Sequence, residues 1–276
     1  MNDRCSPIAE SEPRFAFGKN WSAFLASVDE KRIDKSRRAL ADLLGTDTLR
    51  GKRFLDIGCG SGLSSLAAFR LGAEVLSFDF DIDSVHASRA LKERFAAGSD
   101  RWRIEQGSVL DTAYLSQVGD WDIVYSWGVL HHTGSMWRAL ENAAGLVAPG
   151  GQLAVAVYND QGYVSDYWKR IKRSYVAHRW MRPILVTFSL VRIWGWTMLL
   201  DLKHLQPGKS WRDYGRERGM SAWHDLIDWV GGYPFEVAKP EEVFDFYRTR
   251  GFTLERLVTR QGRGCNEFCF RRQSSS

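Results

Sequence analysis

Arg53-Phe54-Leu55-Asp56-Ile57-Gly58-Cys59-Gly60-Ser61-Gly62 joins two kinds of chain and prepares a third. Phe54, Leu55 and Ile57 make a short apolar run bounded by charge, which predicts a buried parallel strand. Gly58, Gly60 and Gly62 then fall at alternate positions. Without side chains there, the backbone turns sharply and a ligand approaches it closely. From Leu63 to Leu71 apolar residues return at helical spacing. A strand, a bare loop and the positive end of a helix together make a cradle for a cofactor.

The glycine spacing narrows the choice of cofactor. A dinucleotide fingerprint wants glycine at the first, third and sixth places, to seat a pyrophosphate. Here the fifth place is Gly62 and the sixth is Leu63. Asp56, at the leading edge of the loop, sets an anion where a pyrophosphate would be repelled. That acid suits a cation such as the amino group of S-adenosylmethionine.

Working outward, Glu74 to Phe80 predicts a second strand ending at Asp79 and Asp81. This places Asp79 beside the glycine loop, where a carboxylate accepts two ribose hydroxyls. Asp81 or Asp83 is the better helix cap for the segment from Ile82. Ser84 to Phe95 predicts a helix and Trp102 to Gly107 a third strand. Gly107-Ser108-Val109-Leu110-Asp111 then lies on the rim where open α/β sheets bind ligands. Ser108 and Val109 frame an adenine there, and Asp111 is either a ligand neighbour or a helix cap.

Trp121 to Trp127 predicts the fourth strand, followed by Gly128-Val129-Leu130-His131-His132. Met136 to Val147 predicts a helix, Ala148 to Gly151 a turn, and Gln152 to Val157 a fifth strand closing on Tyr158-Asn159-Asp160. Strands alternating with helices predict a parallel, doubly wound sheet. Near the end, Phe252 to Val258 and Asn266 to Phe270 flank a Gln261–Gly264 turn and read as a β-hairpin, so one terminal strand runs antiparallel. Dinucleotide folds do not usually finish that way.

Length and composition set the bounds. With 276 residues the chain suits one large domain with an elaborate insertion, and an apolar share of 44% is enough for a full core. A net charge of +5 is moderate, which argues against a dedicated nucleic-acid binder. Cys5, Cys59, Cys265 and Cys269 show no paired metal spacing, so no metal site is expected. Met1 to Phe15 is polar, without the apolar run of a signal peptide, and a reduced, cytoplasmic setting is the simplest reading. Phe15 to Leu25 is aromatic-rich, either an arm packed over the domain or a lid over a cofactor. Asp29 to Leu44 predicts an amphipathic helix.

These features, in this order, resemble a class I S-adenosylmethionine-dependent methyltransferase. Leu55 to Gly62, Asp79, Gly107 to Asp111, Val129 to His132, Pro149 to Gly151 and the closing hairpin carry the resemblance, over residues 30 to 157 and 240 to 272. The likeness is greatest to the small-molecule branch that holds ubiquinone and menaquinone biosynthesis methylases. It implies an α/β fold with a Rossmann-like seven-stranded sheet whose last strand is reversed. It also implies S-adenosyl-L-methionine held by Asp56, Gly58, Gly60, Asp79, Ser108 and Val109, with Cys59, Phe80 and Trp127 placed in the same set. One departure stands out: Gly107-Ser108 occurs where many members carry Gly-Asp. The resulting layout is an arm and helix at residues 1–50, a cofactor-binding core at 51–157, a helical insertion at 158–234, and a helix and hairpin at 235–276 that complete the core.

Methyl transfer is an in-line displacement, so the protein chiefly positions a nucleophile and excludes water. An oxygen acceptor also needs a base, whereas a nitrogen acceptor need only lose a proton. His131 and His132 follow the fourth strand and titrate near neutrality, so either serves as a base or as a packing group. Tyr158 is a further catalytic candidate. The expected acceptor is a small or lipid-linked molecule; the rivals are an RNA-modifying enzyme and a silent, cofactor-binding scaffold.

The insertion at 158–234 holds seven of the twelve tryptophans and twelve Lys or Arg against seven Asp or Glu. Within it Ile184 to Leu202 is nearly all apolar, broken by Arg192 and preceded by Lys169, Arg170, Lys172, Arg173, Arg179 and Arg182. A helical cover over the substrate pocket, with its tryptophans packed on the main domain, is one reading. A dimer surface, a peripheral membrane contact through 184–202, a true span, disfavoured by Arg192 near its centre, and RNA binding are the others. Gly231 to Glu236 would suit a pocket wall or a plain turn, and Arg263 would meet an anionic acceptor or solvent.

Overall fold

The first βαβ unit sets the order of everything after it. In the computed structural model, which describes Phe15, Leu25 and residues 28–218, 221–262 and 264–274, strand β1 is Arg53–Ile57, helix α2 is Leu63–Arg70 and strand β2 is Glu74–Asp79, after helix α1 at Glu30–Leu44. Asp29 caps α1 by accepting from the Arg32 N–H, and Gly45 closes it in the left-handed conformation. Four of the five residues of β1 are buried, as the apolar run predicted. Leu55 and Ile57 face one core, with Phe54 on the opposite face, because side chains alternate across a strand. Each such buried Leu, Ile or Phe contributes about 1.5–3 kcal/mol.

Helix α3 (Ile82–Ala96), strand β3 (Trp102–Gln106), helix α4 (Thr112–Val118), strand β4 (Trp121–Trp127), helix α5 (Met136–Gly145) and strand β5 (Val147–Tyr158) continue the alternation. Asp81 caps α3, and Asp111 caps α4 through two backbone N–H groups. After the insertion come helix α10 (Pro240–Arg248) and strands β6 (Phe252–Val258) and β7 (Cys265–Arg272). The sheet has seven strands in the order β3-β2-β1-β4-β5-β7-β6, with β7 antiparallel to both of its neighbours. Strand order reverses between β1 and β4, which leaves a crevice at their C-terminal ends.

Two expectations need correcting. The Ala148–Gly151 turn is a bulge inside β5, not a separate turn. Register jumps from Trp121 opposite Val147 to Ile123 opposite Gln152, with Gly150 at φ +76° absorbing the extra chain. Helix α5 accordingly ends at Gly145, because Val147 already pairs with Trp121.

The insertion folds as helices α6 (Tyr163–Ala177), α7 (Arg182–Lys203), α8 (Lys209–Arg218) and α9 (Ala222–Gly231). Trp168, Ile171, Tyr175, Val186, Leu226 and Val230 gather into a core of their own, which Tyr233 and Phe235 join. The insertion's tryptophans were expected to pack on the main domain; Trp168 is instead buried in the insertion's own core, and Trp180, Trp196 and Trp223 are exposed. Cys5, most of the Phe15–Leu25 segment and Arg263 lie outside the described residues.

Candidate active site

At the C-terminal ends of β1, β2 and β4 the sheet opens into a cavity of about 1660 Å³. Asp56, Gly58, Cys59, Gly60, Asp79, Phe80, Ser108, Val109 and Trp127, the set expected at a cofactor, all line it. On the far side the wall is made by the insertion, with Ile193, Trp194 and Thr197 of α7 and Leu226 and Trp229 of α9.

The glycine loop is tied down by backbone bonds. Gly58 and Cys59 both donate to the Phe78 carbonyl, at 2.8 and 3.1 Å. Gly58 sits at φ +74°, and a Cβ there would come within 2.3 Å of Val129. Bare backbone is therefore a steric requirement at the point where β1 meets the segment after β4. Gly62, at φ +80°, is crowded as well: a Cβ there would come within 2.8 Å of the Ser88 hydroxyl in α3.

Two acids border the loop and are held differently. Asp79 accepts from the Gly60 N–H at 3.0 Å with one oxygen and from the Asp81 N–H at 2.9 Å with the other. Desolvation nevertheless raises its pKa, the bonds from Gly60 and Asp81 opposing. Asp56 is almost fully buried and its pKa is pushed up to about 7, chiefly by desolvation. One of its oxygens accepts from Ser65, whose hydroxyl accepts from Ser77 at 2.7 Å, which in turn accepts from the Trp102 indole at 2.8 Å. An indole only donates, so the chain has one direction, and it ends on the Asp56 carboxylate. This relay fixes the orientation of the acid. Sequence pattern gave no sign of it, because Ser65, Ser77 and Trp102 come from three elements.

The two histidines part company. His131 is fully buried and absent from the cavity lining, its ring tilted against those of Tyr158 and His132 with centroids 4.1 and 4.5 Å away. His132 and Tyr158 line the cavity. The Nδ1 of His132 lies 2.6 Å from the Pro234 carbonyl, so it carries the proton and leaves the lone pair on Nε2. Burial first, then the Lys172 charge, push the His132 pKa down to about 3, the bond to Pro234 opposing. Burial and the His132 and Lys172 charges hold His131 lower than usual as well. Both rings are neutral at physiological pH. Of the two roles the sequence left open for His131, base or packing group, its place is that of a ring packed away from the cavity.

The segment Gly231 to Glu236 is a clamp as well as a wall. Pro234 holds His132, the Glu236 N–H donates to the His131 carbonyl at 2.9 Å, and Glu236 accepts from the Met136 N–H at 3.0 Å. Glu236 thus serves α5 as a cap from a distance, where Ser135 makes no side-chain cap bond. Lys172, fully buried on α6, donates to the Trp229 carbonyl and stands 4.1 Å over the Trp229 ring and 4.7 Å from that of Phe235. Phe15 reaches this wall too, donating from its backbone to Tyr233 at 3.0 Å. Glu236 and Lys172 were not singled out as site residues from sequence, since each acts through elements far away in the chain. No group of three or more His, Cys, Asp or Glu suited to a metal ion occurs among the described residues.

Residues 55–153 match the family described as a methyltransferase domain. The chain is 32% identical over 133 residues to the ubiquinone biosynthesis O-methyltransferase of Sinorhizobium medicae, a match covering 46% of this chain and 52% of that protein. It is 28% identical over 148 residues to the ribosomal protein L11 methyltransferase of Pseudomonas putida, covering 53% of this chain and 46% of that one. The chain thus spans about half the length of these curated relatives. Among solved structures, magnesium protoporphyrin IX methyltransferase from Synechocystis with bound SAH superposes with a TM-score of 0.53 at 16% identity, over 87% of this chain and 83% of that one. An O-methyltransferase family protein from Burkholderia thailandensis gives 0.55 at 14% identity, over 93% and 60%. At such identities the solved structures speak for the fold.

Proposed function

We propose, from a chain that has the class I S-adenosylmethionine-dependent methyltransferase fold and a methyltransferase domain at residues 55–153, that it transfers a methyl group from S-adenosylmethionine to an oxygen or nitrogen of a small or lipid-linked molecule. The observation that carries this reading is a single cavity with two ends. One end is a glycine cradle bordered by Asp56 and Asp79, and the other is walled by apolar and aromatic side chains of the insertion. Three free, buried cysteines are in keeping with a reduced, cytoplasmic setting.

The residues fit the donor chemically. Bare backbone at Gly58 and Gly60 admits an adenosyl group, Asp79 offers a carboxylate to ribose hydroxyls, and Asp56 offers one to an ammonium. When bound, the sulfonium supplies an activated methyl group with a good leaving group. The chain then has to orient the acceptor and keep water out, which the insertion's aromatic wall suits. His132, neutral and with its lone pair on Nε2, accepts a hydrogen bond from an acceptor hydroxyl or amine. Its low basicity makes proton removal concurrent with methyl transfer rather than prior to it. Tyr158 holds the other side of the His pair and faces the same cavity.

Donor affinity is expected to depend on pH through Asp56. Only the ionised acid attracts an ammonium, so affinity should rise as pH climbs toward about 7, by up to tenfold per unit. Ser65→Ala removes a bond that lowers the Asp56 pKa, and should shift this rise to higher pH. Calorimetric titrations between pH 5.5 and 7.5 check both; an unshifted profile in the variant would remove Ser65 from the account. His132→Ala should leave donor affinity within about threefold while lowering turnover about a hundredfold or more. At saturating donor, turnover in the unaltered chain should show no acid limb near pH 6.5 from His132, since the imidazole is already neutral there.

The function itself is tested by incubating the chain with isotopically labelled donor and cell extract. Label should appear in a small or lipid-soluble molecule by mass spectrometry. Label confined to RNA or protein would overturn the acceptor class.

A further inference from the structure

Helix α7 presents two unlike faces. Val186 and Ser189 are buried, and Ile193, Trp194 and Thr197 line the cavity. The opposite face is apolar as well. Ile184, Val191, Leu199 and Leu202 are 60%, 65%, 60% and 61% exposed, Phe188 lies among them, and helical spacing puts them in one stripe. Trp180 and Trp196, both 72% exposed, stand beside it. A helix on the surface of a soluble domain turns its polar side to water; this one does not.

Charge indicates what covers the stripe. Residues 163–205 carry eight Lys or Arg against two Asp or Glu. One of those acids, Asp201, is taken by the N–H and hydroxyl of Ser210. Arg179, Arg192 and Lys203 are exposed along or at the ends of the stripe. Apolar side chains flanked by tryptophan and unbalanced positive charge complement an anionic lipid surface. A second copy laid face to face would instead bring like charges together.

We propose that α7 lies in the plane of an anionic bilayer, its stripe sunk among the lipid headgroups and its inner face lining the active-site cavity. The segment Arg179–Lys203 is long and apolar enough to cross a membrane. One side of it, however, is committed to the insertion's core and the cavity, and Arg192 would sit near mid-span. The docking rests on the methyltransferase reading in one respect only: it selects a hydrophobic, bilayer-dissolved acceptor that reaches the cavity past α7.

Vesicle co-sedimentation tests this, with equimolar phosphatidylglycerol and phosphatidylcholine against phosphatidylcholine alone. The unaltered chain should bind the anionic vesicles, with a blue shift in tryptophan emission and weaker binding at high salt. Ile184→Glu, Val191→Glu and Leu199→Glu combined should weaken binding by roughly tenfold or more, since exposed apolar anchors become repelled anions. That variant's thermal shift with S-adenosylmethionine should match the unaltered chain, showing that the fold is kept. Arg179→Ser, Arg192→Ser and Lys203→Ser combined should lower affinity for anionic vesicles on the order of a hundredfold. No binding by the unaltered chain, equal binding by the triple glutamate variant, or a lipid-indifferent dimer that this variant breaks would each overturn the proposal. Loss of the donor's thermal shift in the unaltered chain would count against the methyltransferase reading and leave the docking result standing.

Discussion

Asp79→Ala should weaken S-adenosylmethionine binding by a hundred- to a thousandfold, on the order of what two charge-assisted hydrogen bonds contribute. The carboxylate now holds Gly60 with one oxygen and Asp81 with the other, which leaves further lone pairs for ribose hydroxyls. Removing it would take away the proposed ribose contacts and loosen the glycine loop together. Asp79→Asn separates the two contributions. Its amide oxygen still accepts from the Gly60 N–H, but its charge is gone, so its affinity should fall between those of the unaltered chain and the alanine variant. Equilibrium dialysis with labelled donor gives the order. A smaller loss for Asp79→Ala than for His132→Ala would reverse the roles assigned to these two residues.

Gly58→Ala should be still more disruptive, for reasons of space. The added methyl would lie 2.3 and 2.7 Å from the two Val129 methyls, at a φ of +74° that an L side chain rarely adopts. Left-handed strain and overpacking each cost about 1–3 kcal/mol. Relief would have to come from moving the loop away from the segment that carries His131 and His132. A fall in melting temperature of several degrees is expected, with donor binding lost. Val129→Ala added to Gly58→Ala takes away the two closest contacts but neither the 2.9 Å approach to the Cβ of residue 129 nor the strained φ, so it should restore part of the stability. Thermal unfolding of the single and double variants decides this; no recovery in the double variant would mean that the two Val129 methyls are not the source of the loss.

The sheet was legible because its determinants are local. Phe54, Leu55 and Ile57 announce a buried strand, Asp81 announces a helix start, and the Gln261–Gly264 turn announces a hairpin. That the residues expected at a cofactor line one cavity was legible for the same reason, since each sits within a few positions of a strand end. Long-range relations were not legible. Nothing near Asp56 in sequence reveals that Trp102 orients it through two serines, and nothing near His132 reveals that Pro234 sets its tautomer from 102 positions away. Ala148–Gly151 has the composition of a turn and yet lies within a strand, because pairing with β4 continues on both sides of it. The stripe on α7 was visible as apolar composition, but only packing shows which of its sides faces outward.

The central claim is that an adenosyl sulfonium occupies the cavity beside β1, β2 and β4. Calorimetric titration of the unaltered chain with S-adenosylmethionine, and with its demethylated product, tests it most directly. Saturable one-to-one binding of both, unaffected by NAD, is the predicted result. Absence of heat and of thermal stabilisation by either compound, or displacement of both by NAD, would contradict it.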